Sequence, residues 1–117
     1  MEHAYQKVLK AVYDAVGMRL VKTPELREKG VVEPYDFTTL SYLRRKKLVH
    51  QKGRWDRESI ARELERDLNK SDKLSSWWKV TDKGLAMVFD IYGYESVKQE
   101  DQKRLVQYLL KREQPER

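Results

Sequence analysis

Hydrophobic residues recur at steps of three and four over most of the chain, and this spacing predicts a mainly helical protein. In the first helix, an apolar residue returns at every fourth position from Ala4 to Val16. Glycine, proline and capping residues mark several helix ends, as at Gly17 and at Thr23 with Pro24. The pattern predicts helices over 3–16, 23–29, 35–47, 56–69, 81–92 and 96–111.

Three short segments have the aromatic and β-branched composition of strands. They are Met18–Val21, Leu48–Gln51 and Ser76–Val80. Trp77 and Trp78 are adjacent in the last strand, so one ring is expected in the core and the other over helix 56–69. These elements together predict an α+β protein that is mainly α with a small antiparallel sheet.

The helix predicted over 35–47 has two chemically different faces. At about 100° per residue, its apolar residues share one side, and they are Phe37, Leu40, Leu43 and Leu48. The opposite side carries hydrogen-bonding and cationic groups, namely Tyr35, Thr38, Thr39, Ser41, Tyr42, Arg45 and Lys46. A short helix followed by a second helix with such a face is typical of a helix-turn-helix.

The net charge of +6 is concentrated in one part of the chain. Residues 35–54 contain one acid, Asp36, against six basic residues, which are Arg44, Arg45, Lys46, Lys47, Lys52 and Arg54. A focused basic patch attracts polyanions, so these residues are candidates for binding phosphate groups. The patch coincides with the polar face of helix 35–47 and with the tip that follows the second strand.

Composition removes several classes of function. A chain of 117 residues makes one domain and can bury a core without metal or disulfide staples. It has no cysteine, and its two histidines, His3 and His50, are too far apart in sequence to suggest a metal cluster. The sequence lacks a phosphate-binding glycine loop, a nucleophile elbow and a metal-binding histidine pair, so we expect neither an enzyme nor a cofactor.

The sequence also gives no sign of membrane insertion or export. No apolar run approaches the roughly 20 residues of a membrane helix, and the first residues lack the apolar segment of a signal peptide. We therefore expect a cytoplasmic protein with no membrane partner. The high charge content and the single asparagine, Asn69, weakly indicate a thermophilic source.

Two segments resemble winged-helix transcriptional regulators of the MarR and PadR type. Residues 40–49, LSYLRRKKLV, are similar to the end of their second helix-turn-helix helix and the start of their wing. Residues 78–85, WKVTDKGL, are similar to the place where their second wing strand passes into the next helix. The resemblance covers roughly 3–92 and departs from the family at Lys47, where such proteins often have glycine.

The resemblance implies a winged helix-turn-helix domain over 1–93, in which 56–75 is a helical insertion between the two wing strands. Residues 94–117 would then add a C-terminal helix for dimerisation, with a frayed tail at 113–117. It also implies a transcriptional regulator that binds double-stranded DNA, acts on the nucleoid and forms a homodimer through helix 3–16 and the C-terminal helix.

In such a protein, helix 35–47 enters the major groove and the wing at 50–57 contacts the DNA backbone. Arginine can bond bidentately to guanine there, whereas Arg44, Lys46 and Lys47 are expected to bind phosphates. The predicted DNA-binding residues are Tyr35, Thr38, Thr39, Ser41, Tyr42, Arg44, Arg45, Lys46, Lys47, Lys52 and Arg54.

Two other functions fit the same sequence. A winged helix can be a protein-interaction module, in which case an acidic partner binds the basic patch and duplex affinity is unremarkable. Single-stranded bases would instead stack on Trp55, Trp77 and Trp78, although neighbouring residues of a strand point to opposite sides, which favours packing. Helix 56–69, which has mixed charge, is expected to be a packing or dimer element.

Overall fold

A computed structural model of the chain describes residues 3–31, 37–53, 56–70, 72 and 75–113. Its helices are α1 (Ala4–Val16), α2 (Thr23–Glu28), α3 (Phe37–Arg45), α4 (Arg57–Leu64), α5 (Asp82–Tyr92) and α6 (Gln99–Glu113). Its strands are β1 (Val21–Lys22), β2 (Val49–Lys52) and β3 (Trp77–Val80). A 3-10 turn, Tyr94–Ser96, stands between α5 and α6.

The three strands form one antiparallel sheet in the order β1-β3-β2. The predicted class, a mainly helical α+β protein with a small antiparallel sheet, is confirmed. The register places Trp77 between Lys22 and Lys52, one on each neighbouring strand. Because directly opposed residues share a face of a sheet, these three side chains lie on the same side.

The last helix spans Gln99–Glu113 instead of 96–111, and two other predicted elements are also wrong in their extent. The first strand consists of Val21 and Lys22 instead of Met18–Val21, because these are the two residues that pair with β3. α4 ends at Leu64 instead of continuing to 69, because Glu65 adopts a left-handed conformation, with φ of 57°, that ends the helical hydrogen bonding.

The main core lies between the helices and one face of the sheet. Tyr13 of α1, Leu43 of α3 and Leu85 of α5 are completely buried in it. Trp78 faces this core, where its indole Nε1 donates to Thr23 Oγ1 at 2.7 Å. Thr23 therefore joins the start of α2 to the sheet.

A smaller core lies on the other face of the sheet, under α4. It consists of Leu20, Ile60, Leu68 and Trp77. The prediction that the adjacent tryptophans point to opposite sides, one into the core and one toward the inserted helix, is confirmed. Both rings are buried, so neither offers a stacking surface to single-stranded bases.

α6 is attached to α1 by a buried polar contact as well as by apolar packing. The Tyr13 hydroxyl donates to Asp101 Oδ2 at 2.5 Å and accepts the Lys98 backbone N–H at 2.9 Å. Burial and the Asp101 carboxylate raise the pKa of Tyr13 well above its ordinary value. Leu105 is buried beside this contact, so α6 belongs to the body of the protein.

None of the helices that the structure describes has the length and apolar character needed to cross a membrane.

Candidate nucleic-acid interface

α3 is held by one side and presents the other to solvent. Leu40 and Leu43 are buried in the main core. Thr38, Tyr42 and Arg45 are exposed on the opposite side, at the three- and four-residue steps that place them in one row. Ser41 and Thr39, which flank this row, are partly buried. The division into apolar and polar faces predicted from the sequence is therefore found over the described part of this helix.

The carboxyl end of α3 is closed by a tight turn centred on Lys47. The Leu48 N–H donates to Leu43 O at 2.9 Å and the Lys47 N–H donates to Arg44 O at 2.9 Å. These two bonds form a Schellman motif, which requires a left-handed residue between helix and strand. Lys47 takes that conformation, with φ of 62°, at the position where the family that the sequence resembles often has glycine.

Lys47→Gly is expected to stabilise the protein by about 1 kcal/mol, because glycine adopts a left-handed conformation without the steric cost that a β-carbon brings. Urea denaturation of both proteins measures the difference. Lys103→Gly, at an exposed position inside α6, is the control and should cost about 1 kcal/mol. Equal losses in the two variants would contradict the role assigned to the Lys47 turn.

The segment Thr81–Gly84 fastens the start of α5 to this same turn. Thr81 Oγ1 donates to Lys47 O at 2.6 Å and accepts the Gly84 N–H at 3.0 Å, and Lys83 Nζ donates to Lys46 O at 3.2 Å. Thr81 and Lys83 thus provide hydrogen bonds for two backbone carbonyls that follow the end of α3. The second segment on which the family resemblance rests is therefore the one that fixes the position of α3.

Tyrosines and cations form a cluster at the edge of the exposed row of α3, where this helix lies beside α1. The Tyr5 and Tyr42 rings meet edge to face with centroids 5.2 Å apart. Lys46 Nζ lies 5.2 Å from the Tyr5 centroid and 5.1 Å from the Tyr42 centroid. The Arg45 guanidinium carbon lies 5.9 Å from the Tyr42 centroid. We call Tyr5, Tyr42, Arg45 and Lys46 the tyrosine cluster.

Four consecutive basic residues lie at the end of α3, and most of them are open to solvent. Arg44, Arg45 and Lys47 are exposed, and Lys46 is partly buried in the tyrosine cluster. Within the described part of the chain, none of the four pairs with a carboxylate. We call Arg44–Lys47 the basic end of α3.

Lys52, in contrast, is occupied by the chain's own acid. Its ammonium lies 3.0 Å from Glu63 Oε2 and donates to Ser59 Oγ at 2.7 Å, both on α4, and its side chain is only 14% exposed. The ammonium of Lys52 is therefore held by α4, and the prediction that it binds phosphate finds no support in these contacts.

Glu63 also accepts from Lys79 Nζ of β3, at 2.7 Å. Burial by itself would raise the pKa of the Glu63 carboxyl, but Lys79 and Lys52 outweigh it and hold the pKa below its ordinary value. One carboxylate of α4 therefore bridges two lysines from neighbouring strands and balances one of their two charges.

A second carboxylate of the same segment, Asp72, pairs with a lysine of β1 and with an arginine that follows α4. Asp72 Oδ1 lies 2.7 Å from Lys22 Nζ of β1, and Asp72 Oδ2 lies 3.0 Å from Arg66. The Asn69 backbone N–H also donates to Asp72 Oδ2, at 3.1 Å. Hydrogen bonds from Arg66 and Lys22 hold the pKa of this carboxyl far below its ordinary value.

The predicted site residues thus fall into three groups. Thr38, Thr39, Ser41, Tyr42 and Arg44–Lys47 come together on or beside α3. Lys52 is separated from them by its pairing with α4. Tyr35, Arg54 and also Trp55 lie outside the described residues.

Tyr5 is the member of the site that the sequence did not indicate. It lies beside the apolar row of the first helix, and a tyrosine in that place is equally consistent with core packing. Tyr5 is far from Tyr42 and Lys46 in the sequence, and no sequence spacing indicates that these residues are in contact. Its role becomes visible only when α1 and α3 are placed side by side.

Among the described residues, no three histidine, aspartate or glutamate side chains lie close enough together to hold a metal ion. Comparison of the chain with models of protein families, with curated proteins and with solved structures finds no match.

Proposed function

We propose that this chain is a winged helix-turn-helix protein that binds double-stranded DNA and regulates transcription. The observation that carries the proposal is the exposed face of α3, where hydrogen-bonding side chains adjoin four basic residues without an acidic partner in the described chain. A helix with this combination can contact base edges and phosphates at once. Such a protein acts in the cytoplasm, on the nucleoid.

The order of elements supports the proposal. A helix, a short strand, two helices, a strand, the inserted helix α4 and a last strand follow one another, and the first strand pairs with the last. Apart from α4, this is the order of a winged helix, in which the second helix of the helix-turn-helix lies in the major groove. We assign that place to α3. With its side chains an α-helix is about 10–12 Å in diameter, so α3 fits a major groove that is about 12 Å wide.

We expect the backbone contacts to come from the basic end of α3 and not from Lys52. Arg44 and Lys47 are exposed at the carboxyl end of the helix, whereas Lys52 of the wing strand is held by Glu63 and Ser59. The insertion between the wing strands therefore takes one predicted wing contact away from DNA.

The proposed homodimer relies on α6. Val106 and Leu110 of this helix are 46% and 58% exposed, and apolar side chains in such a position favour a partner surface. The apolar face of α1 was also predicted to pair subunits, but Leu9, Val12 and Val16 are buried in the chain's own core. α6 is therefore the element that we propose for pairing two copies.

A salt titration of duplex binding tests the proposal. We expect Arg44→Gln with Lys47→Gln, at two exposed positions, to weaken binding to a labelled duplex of mixed sequence about tenfold or more at low salt. The slope of log affinity against log salt should fall by about two, because each lost phosphate contact releases roughly one counterion fewer.

The control double variant is Lys103→Gln with Lys111→Gln, which removes the same charge from exposed positions of α6. It should leave the slope close to that of the unmodified protein. If both double variants lower the slope equally, binding follows net charge alone and the proposed interface is wrong. Stronger competition by polyglutamate than by duplex would favour the protein-interaction module instead.

A further inference from the structure

We propose that Tyr5 and Lys46 position Tyr42 and Arg45 so that Arg45 selects a guanine in the major groove. This inference rests on the proposed function and assigns to it a base preference and the residues that set it. It also gives Lys46 a different task from the phosphate contact predicted from the sequence.

Arg45 is the arginine of α3 that lies in the exposed row with Thr38 and Tyr42. Its guanidinium carbon lies 5.9 Å from the Tyr42 centroid, within the range of cation–π contact. A guanidinium resting on a ring keeps its planar fork of donors free at the edge. Guanine offers two acceptors, O6 and N7, that match this fork.

Adenine and cytosine each present a donor amino group in the major groove. At either of these bases, the N–H donors of a correctly placed Arg45 would therefore face the N–H donors of the amino group. A good bidentate pair discriminates by roughly 5- to 150-fold against the wrong base. Arg44, which is exposed but lies outside this row, is left to bind a phosphate without regard to sequence.

Tyr42 can orient Arg45 only if Tyr42 is itself held, because the ring is 39% exposed. Tyr5 meets it edge to face at 5.2 Å, and Lys46 Nζ lies 5.1 Å from its centroid. The same ammonium lies 5.2 Å from the Tyr5 centroid. Lys46 thus connects the two rings, and its charge faces tyrosines instead of solvent alone.

Tyr5 is fixed in turn by α1. Its ring stacks on His3 with centroids 5.7 Å apart and an interplanar angle of 8°, and it packs at the edge of the main core. The order of support therefore runs from α1 through Tyr5 and Lys46 to Tyr42 and then Arg45. Ordering these side chains before binding lowers the entropy lost on DNA contact.

The experiment selects bound duplexes from a random-sequence pool with the unmodified protein and four single variants. The unmodified protein should enrich sequences with guanine at one position of each site. Arg45→Gln should abolish that guanine preference. Arg44→Gln loses the same charge, and it should weaken binding to all sequences while the guanine preference stays. Tyr42→Leu and Tyr5→Leu should reduce the preference at the same position about 3- to 10-fold, with affinity for mixed sequence little changed.

Two further measurements separate positioning from simple damage to the fold. Lys46→Met keeps the aliphatic stem between the rings and removes the charge, so it should reduce the guanine preference while the thermal midpoint stays near that of the unmodified protein. Replacing the selected guanine by 7-deazaguanine removes the N7 acceptor. The substituted duplex should bind the unmodified protein more weakly, but its affinity for the Arg45→Gln variant should not change.

The inference is overturned if guanine preference survives Arg45→Gln, or if Tyr5→Leu and Lys46→Met leave it intact in folded protein. Salt-dependent duplex binding would remain in both cases, and the proposed function would stand. Failure of the unmodified protein to bind duplex above polyglutamate would instead overturn the proposed function itself.

Discussion

Gly84→Ala is expected to lower the free energy of unfolding by about 3 kcal/mol or more, although alanine is the better helix former by about 1 kcal/mol. A methyl group at this position would overlap the carbonyl oxygen of Leu48 and approach Val80 Cγ1 to 2.9 Å. The carbonyl belongs to the backbone next to the Lys47 turn, so relief requires α5 to move away from α3. Loss of the Thr81 and Lys83 bonds to that turn would follow.

Urea denaturation at neutral pH measures this loss. Gly30→Ala is the matched control, because its φ of 69° makes alanine unfavourable but no atom lies within 4 Å of the added carbon. It should cost only about 1–2 kcal/mol. A Gly84→Ala protein as stable as Gly30→Ala would show that the approach of α5 to Leu48 is looser than described.

Asp72→Asn is expected to destabilise the protein by about 2 kcal/mol at neutral pH. The carboxylate is 1% exposed and is bound by Lys22, Arg66 and the Asn69 N–H. Removing one partner of a buried ion pair leaves the other charges uncompensated. Lys22 and Arg66 are both partly exposed, so water offsets part of the loss.

The effect should depend on pH in a defined direction. The folded pKa of Asp72 is lowered relative to the unfolded chain, so the unfolded state binds more protons as acid is added. The contribution is therefore complete above the ordinary carboxyl pKa near 4. It is lost as the pH falls from there toward the lower folded value.

Chemical denaturation of Asp72→Asn and the unmodified protein, repeated from pH 7 to pH 3, measures this dependence. The difference in stability between the two should shrink on acidification. Asp67→Asn, an exposed aspartate of the same segment, should stay within about 0.5 kcal/mol of the unmodified protein. A difference that stays constant over this range would refute the ion-pair role of Asp72.

The sequence predicted the helices well because their apolar residues keep a helical period wherever they face the core. Leu40 and Leu43 of α3 are examples, and both are buried. The end of α4 was missed because a left-handed glutamate, Glu65, ended the helix where no glycine or proline marked a stop. The two-residue strand β1 is defined by pairing with β3, which no local pattern reveals.

Within the site, local chemistry was predictable and long-range pairing was not. The exposed row of α3 follows from the helical period alone. Whether a lysine is free depends on acids elsewhere, as the pairing of Lys52 with Glu63 of α4 shows. Tyr5 belongs to the site through α1, and its contact with Tyr42 spans elements far apart in the chain.

Lys22, Lys52 and Lys79 each pair with a carboxylate from the segment between β2 and β3. An evolutionary shortening of that segment would leave three ammonium groups and the Trp77 indole facing water together. A homologue with a brief β-hairpin at this point should therefore carry a smaller or polar residue in place of the uncovered indole, whereas the three lysines can stay, because an ammonium in water needs no carboxylate partner. Loop length and the residue at this strand position are expected to covary, so an engineered deletion of the segment requires a compensating substitution of Trp77.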